Sequence, residues 1–274
     1  MKKILVPTDF SEQAENALKV AAQLAREYDA EIYLLHLLEL PLHQIDALSG
    51  HSDLPEAMFF MKLAQKRFQD VLAKEYLEGI TVNETVEFHQ SFSHIVDVCE
   101  EKKIDLIVMG SHGVSGIKEM FIGSNTEKVV RTATVPVLVI KKPHDHFEVN
   151  DFVFASDFNK DSAETYKQAA FLASSFNAQL HLVMVNTPNN FLTTAEANKR
   201  IAMFTDDSDY ENYSVTIYND ETVETGILNF SQSIDADLIG ISTHGRQGIA
   251  HFFNGSISED LVNHAERPVV TFRI

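Results

Sequence analysis

Two spacings of apolar residues alternate along this chain. Ile4 to Val6, Ile32 to Leu38, Leu106 to Met109 and Val137 to Ile140 are short, nearly continuous apolar runs. Strands buried on both faces read this way, without polar alternation. Val82 to Phe88 does alternate, and suits a strand with one more exposed face. Helical stripes lie between these runs. Ala14, Ala17, Leu18, Ala21, Leu24 and Ala25 fall on one stripe, and Ser11 is placed to cap its N-terminus. The spacing predicts a long helix over Leu54 to Leu77, closed by Gly79, and shorter ones over Phe92 to Lys102 and Ser124 to Arg131. Strand and helix in alternation mean an α/β fold, with a parallel sheet covered on both faces and right-handed crossovers. Ligands of such sheets sit beyond the strand C-termini, where strand order reverses. Asp9 and Gly110 both fall at strand C-termini and are expected to converge there.

The pattern then repeats. Lys3-Ile4-Leu5-Val6-Pro7-Thr8-Asp9-Phe10 corresponds to Asp151-Phe152-Val153-Phe154-Ala155-Ser156-Asp157-Phe158, an offset of 148 (157 − 9). Leu24 to Leu172 and Leu37 to Val185 keep that offset. Later, Gly113 pairs with Gly245, Gly123 with Gly255 and Pro136 with Pro268, at an offset of 132 (245 − 113). The second half is therefore 16 residues (148 − 132) shorter between its second and fourth strands, with Glu39 to Ser52 the expected place of the difference. Two copies indicate duplication, not a solenoid. The polar stretch Lys141 to Asn150 separates the copies, giving expected units of 1–143 and 150–274.

Charge narrows the function classes. The formal net charge is −18, which argues against a nucleic-acid partner or an anionic membrane surface. The same field would repel a nucleotide at long range, so a phosphate site must rely on local amides and a divalent cation. No secretory signal is visible and no apolar run approaches a membrane span, so a cytoplasmic protein is expected. Cys99 is the lone cysteine and lies in an apolar helical pattern, which assigns it to core packing.

The chemistry-bearing feature is a set of spaced glycines. Gly110 and Gly113 follow a strand; nine residues later come Gly123 and Ser124, which open a helix. Glycines there let backbone N–H groups approach a phosphate, and the helix N-terminus favours an anion. The second copy has Ser242, Gly245, Gly255 and Ser256. If the first position requires positive φ, Ser242 costs roughly 1–2 kcal/mol; in ordinary extended backbone the cost is small. Neither a Walker A loop, a G-x-S-x-G elbow nor zinc-ligand spacing occurs. No general base is marked beside the glycine loop, so a dedicated enzyme is not expected.

V-P-T-D at the first strand end, D-L-I-V-M-G-S-H-G over Asp105 to Gly113, then G-S-N-T and V-P-V-L-V resemble the universal stress protein family, across essentially the whole chain and in two copies. The resemblance implies two tandem Rossmann-like domains, each with a five-stranded parallel sheet in the order 3-2-1-4-5. It also implies an ATP-binding regulatory protein of the stress response; AMP or ADP are alternative ligands, with Mg²⁺ carried on the phosphates. Carried over, Pro7, Thr8 and Asp9 would line an adenosine pocket, Leu37 and Met109 would border the base, and Gly110, His112 and Gly113 would follow the ribose and phosphates. Gly123, Ser124, Asn125 and Thr126 would hold phosphate. A weaker second site would use Asp157, Val185, Gly245, Gly255, Ser256 and Ser258. Family members pair their last strands across a two-fold axis, so Val137 to Ile140 and Val269 to Phe272 are expected to join the halves as a pseudo-dimer; two chains could associate further. The competing readings are a slow ATPase and a nucleotide-independent interaction module with a protein partner still to be named.

Overall fold

The structure is a computed structural model that describes residues 1–38, 54–88, 94–111, 123–205, 210–243 and 255–274. The first half contributes β1 (Lys3–Pro7), α1 (Glu12–Tyr28), β2 (Glu31–Leu38), α2 (Leu54–Leu72), β3 (Val82–Phe88), α3 (His94–Lys102), β4 (Leu106–Gly110), α4 (Ser124–Thr132) and β5 (Val137–Ile140). The second contributes β6 (Asp151–Ala155), α5 (Ala163–Phe176), β7 (Gln179–Asn186), α6 (Thr194–Thr205), β8 (Tyr213–Asn219), α7 (Val223–Ser233), β9 (Leu238–Thr243), α8 (Gly255–His264) and β10 (Val269–Arg273).

Among the described residues all ten strands form one sheet, in the order β3-β2-β1-β4-β5-β10-β9-β6-β7-β8. Each half is parallel and has the expected 3-2-1-4-5 order. The halves meet at β5 and β10, which pair antiparallel with Val269 opposite Val139, Val270 opposite Leu138 and Thr271 opposite Val137. Strands that would be open edges in a single half thus satisfy each other. The edges that remain are β3 and β8.

Side chains alternate across the sheet, so each strand feeds two cores. On one face Ile4, Val6, Leu34 and Val108, then Phe152, Phe154 and Phe272, pack under α1, α2, α5 and α6. On the other, Leu5, Leu35, Ile107 and Val139, then Val153, Ile239 and Ile241, pack under α3, α4, α7 and α8. Each cluster takes in residues of both halves; within the second half, Phe272 contacts Phe154 at a ring separation of 5.8 Å. Cys99 is core, and burial pushes its thiol up to about 12.

Helix boundaries follow local chemistry. Ser11 caps α1, accepting a hydrogen bond from the Ala14 N–H, and Asp29 ends the helix in the left-handed region. The helix expected over Leu54 to Leu77 stops at Leu72, and Glu75–Leu77 forms a separate 3₁₀ turn. The break seats Leu77 in the core and brings the Tyr76 carbonyl within 3.0 Å of the Arg26 guanidinium. Gly79, at φ 78°, then turns the chain into β3. The shortening of the second half is shared between the connector after its second strand and the next helix: α2 has 19 residues and α6 has 12.

The pseudo-two-fold axis is also drawn in side chains. Lys141, just after β5, donates to the Val262 and Asn263 carbonyls at the end of α8. Arg273, its counterpart in β10, donates to the Thr132 carbonyl at the end of α4, at 2.6 Å. Each cation serves orphan carbonyls at the negative end of a helix in the other half. Tyr28 adds a bond to the Ser175 carbonyl at 2.7 Å.

Candidate functional site

In the first half, β1 lies between β2 and β4, so the reversal of strand order falls at the β1–β4 boundary. The turn after β1 is anchored by backbone: Thr8 N–H donates to the Leu35 carbonyl at 2.8 Å, and His36 Nδ1 lies 2.7 Å from the Thr8 carbonyl. Thr8 Oγ1 accepts from the Phe10 N–H at 3.0 Å. That bond holds Phe10 at φ 62°, an uncommon conformation for an aromatic residue. Asp9 is exposed, and its Oδ1 accepts from the Ser11 N–H at 3.0 Å. The cap of α1 is therefore Ser11, while Asp9 orders the turn ahead of it and keeps a face toward solvent.

The second wall is the end of β4 and the start of α4. Ser111 N–H donates to Ile140, and the Ser111 carbonyl accepts from Gly123 N–H at 2.7 Å. Thr126 is buried and donates from Oγ1 to the Gly110 carbonyl at 2.9 Å. Ser111 and Gly123 thus lie side by side. Gly123 caps α4 without a side-chain bond; Ser124 is exposed and Asn125 half-buried in the first turn. The first N–H groups of this helix have no intrahelical acceptor, and they carry its positive end. Thr126 commits its hydroxyl proton to Gly110, so only its backbone N–H could serve an anion.

Pro7, Thr8, Asp9, Gly110 and Gly123–Thr126 are accordingly brought to the same end of the sheet. Met109 is buried in the core cluster, and Leu37 is half-buried on that same face. His112, Gly113 and Gly245 lie outside the described residues. Gly255 opens α8, with Ser256 and Ser258 in its first turn.

Gly110 has a steric reason of its own. A Cβ there would stand 2.6 Å from the Gln13 carbonyl oxygen in the first turn of α1. Its φ is not positive, and Ser242, its counterpart, sits within regular β9 opposite Phe272. Ser242 is fully buried and its Oγ lies 2.7 Å from Thr165 Oγ1. The serine is thus unstrained, because α5 begins later than α1 and leaves room for a hydroxyl pair.

The sequence model of the Universal stress protein family matches residues 1–141 and again 149–273. The chain belongs to the universal stress protein family. It is a tandem member, and it resembles several others. The universal stress protein MJ0531 of Methanocaldococcus jannaschii is 36% identical over 151 residues, covering 52% of this chain and 83% of that one. The universal stress protein Slr1230 of a Synechocystis strain is 26% identical over the full length of both. A crystal structure of a universal stress protein from Archaeoglobus fulgidus shares the fold, with a TM-score of 0.69 at 24% identity, covering 99% of this chain and 98% of that one.

The second universal stress protein unit repeats the turn but closes it. Ser156 N–H donates to Val183, and Ser156 Oγ accepts from Phe158 N–H, with Phe158 at φ 51°. Asp157 is only 5% exposed. Its Oδ1 accepts from Asn159 N–H at 3.1 Å and from Ser162 Oγ at 3.3 Å, and its Oδ2 from the Asn159 amide. Val185 is buried, and α7 packs on it so closely that a Cβ on Gly226 would stand 2.5 Å from Val185 Cγ1. Asp220 locks the same corner, accepting from Asn229 and Thr225; these bonds hold its carboxyl below the ordinary range.

The feature that motif reading missed is the phenylalanine after each aspartate. Phe10 packs on His36 and Phe68, and Phe158 on Phe204, at ring separations of 4.6, 5.2 and 5.4 Å. The recurrence of Asp-Phe at both strand ends was the available signal.

Proposed function

We propose that the first universal stress protein unit binds one adenine nucleotide, ATP in the first instance, and that the chain acts as a cytoplasmic regulator and not as an enzyme. The observation that carries this reading is that an exposed Asp9, at the end of β1, and the side-chain-free cap at Gly123 lie at the same end of the sheet. The carboxylate offers an acceptor for adenine or ribose, and the first turn of α4 offers N–H donors for phosphate. The donor set therefore fits a nucleotide. Among the described residues no group of three His, Cys, Asp or Glu gathers to hold a metal. In this reading Mg²⁺ is carried by the phosphates. Among the described residues, too, no helix is long and apolar enough to cross a membrane.

The units 1–143 and 150–274 then have different tasks. The enclosed Asp157 and the covered Val185 leave the second unit without the acceptor and the base-side space that the first offers. Nucleotide would order the loop between Gly113 and Gly123, and a protein partner would read that surface. Such coupling requires that the two loop states differ in affinity.

The test is calorimetric titration of nucleotide-stripped chain with Mg-ATP, with turnover followed in parallel. One site per chain, lost in Gly113→Val, is expected. Two sites would assign sensing to both units. No binding would leave the nucleotide-independent interaction module, and steady release of ADP would restore the ATPase reading.

A further inference from the structure

Each half carries a second cavity, between its first helix and the helix after its second strand. In the first half it measures about 520 Å³ and is lined by Asp9, Phe10, Glu12, His36 and Arg67 among others. In the second it measures about 450 Å³, with Phe158, Lys160, Tyr166, Lys167, Arg200 and Phe204 in its walls. Phe158, Tyr166 and Phe204 belong to the core cluster on one sheet face, and Val185 to the cluster on the other. The second-half cavity lies between α5 and α6, beside the turn after β6, and its counterpart in the first half takes in Asp9 and so adjoins the proposed nucleotide site.

The two cavities differ in charge. At the offset of 148, Glu12 becomes Lys160 and Glu15 becomes Ala163, while Lys19 is kept as Lys167. In the first half Glu15 lies 3.8 Å from Lys19 and 3.6 Å from Lys74. Lys167 has lost that partner. No carboxylate lines the second cavity, and Lys160, Lys167 and Arg200 form no ion pair among the described residues. Glu196, one turn before Arg200 and outside the cavity lining, accepts from the Thr193 hydroxyl at 2.8 Å and also interacts electrostatically with Arg200. Arg200 itself is half-buried and donates to Asn159 Oδ1 at 3.4 Å. Lys160 and Lys167 are exposed at the rim of the cavity and Arg200 is half-buried, so an anion entering it meets three cationic groups. The cavity wall thus loses the carboxylate of Glu12, while Asp161 and Glu164, at the positions of Gln13 and Asn16, stand outside its lining.

We propose that the second half binds here a small amphiphile with one anionic head, a carboxylate or phosphate monoester, on an apolar body. The head is held by Lys160, Lys167 and Arg200. The body lies on Phe158, Tyr166 and Phe204, whose rings pack at 5.4 and 5.6 Å. Met203, 59% exposed at the mouth, supplies a wall that adapts to shape. The volume lies within the range of small-molecule sites.

Titration of the full chain with octanoate, octyl phosphate and octanol tests this. At least one of the anions is expected to bind, the tighter identifying the head, with octanol weaker by at least about tenfold. The double variant Lys160→Glu and Arg200→Ala installs Glu as at position 12 and Ala as at position 64, which precedes Phe68 by four residues as Arg200 precedes Phe204, the phenylalanines that pack on Phe10 and Phe158. It should weaken the anions by at least about tenfold with unchanged thermal unfolding, whereas Asp9→Ala should leave them unaffected. Equal binding of octanol, full binding by the double variant, or no binding of either anion would overturn the proposal. None of these results bears on nucleotide binding, which the Mg-ATP titration reads separately.

Discussion

The turns after β1 and β6 share a backbone and differ in what they leave open. Thr8 and Ser156 make the same bond to the strand beside them, and Phe10 and Phe158 share a left-handed conformation. Yet Asp9 faces solvent, and Asp157 is enclosed by Asn159 and Ser162. The cause is where the next helix starts. Ser11 caps α1 at once, whereas Asn159 leads into a 3₁₀ turn, Lys160–Ser162, that folds over the carboxylate. A duplicated scaffold thus keeps its strain and its turn, while one change of capping chemistry converts an outward acceptor into a structural one.

The sharpest way to break the comparison is at the seam that makes the halves one body. Val139 and Val269 are fully buried and directly paired. Val139→Glu is expected to cost at least about 3 kcal/mol, since an unpaired buried charge has no compensation there. Urea unfolding should show a collapsed midpoint or separate transitions for the halves; an unchanged curve would refute the role of the β5–β10 pair.

Next in size is the exchange at the ends of β4 and β9. Gly110→Ser drives a Cβ against the Gln13 carbonyl and should cost about 1–3 kcal/mol. Ser242→Gly removes one hydroxyl pair and should cost about 1 kcal/mol. Equal effects in chemical denaturation would remove the distinction between the two helix approaches.

The aspartates should then trade phenotypes. Asp157→Ala strands the donors of Asn159 and Ser162 and should lower stability by about 1–2 kcal/mol, with nucleotide affinity unchanged. Asp9→Ala should leave the melting temperature nearly unmoved and weaken Mg-ATP by about tenfold. Calorimetry and thermal melts on both variants decide it.

The smallest effect concerns the cations that cross the seam. Burial pushes Lys141 down to about 8. Above that value the folded chain binds fewer protons at this site than the unfolded chain, so the stability owed to Lys141 rises with pH between about 8 and 10. Lys141→Met should flatten that rise. Arg273 remains charged throughout, so an Arg273→Met variant should keep it.

Much of the architecture was legible in residue patterns, because burial imposes periods on a sequence. The apolar runs marked the strands, Ser11 marked a cap, and the offsets marked the duplication. The end of α2 was not legible, because the break after Leu72 answers to the seating of Leu77 beneath α1, a contact distant in sequence. At the candidate site, motif spacing pointed to the strand ends where Pro7, Thr8, Asp9, Gly110 and Gly123–Thr126 lie. It did not show that Gly110 answers to the Gln13 carbonyl of α1, a contact distant in sequence.

The sequence by itself determined the fold class, the two copies, the strand ends where chemistry gathers and the family. Those follow from local pattern and from residue identity. Tertiary structure decided the antiparallel register in which β5 and β10 join the halves, that Ser242 is unstrained, that Asp157 is enclosed, and that Lys160, Lys167 and Arg200 line one cavity. Each of these depends on where a helix starts or how closely it approaches a strand, and such distances are set by packing between segments far apart in the chain.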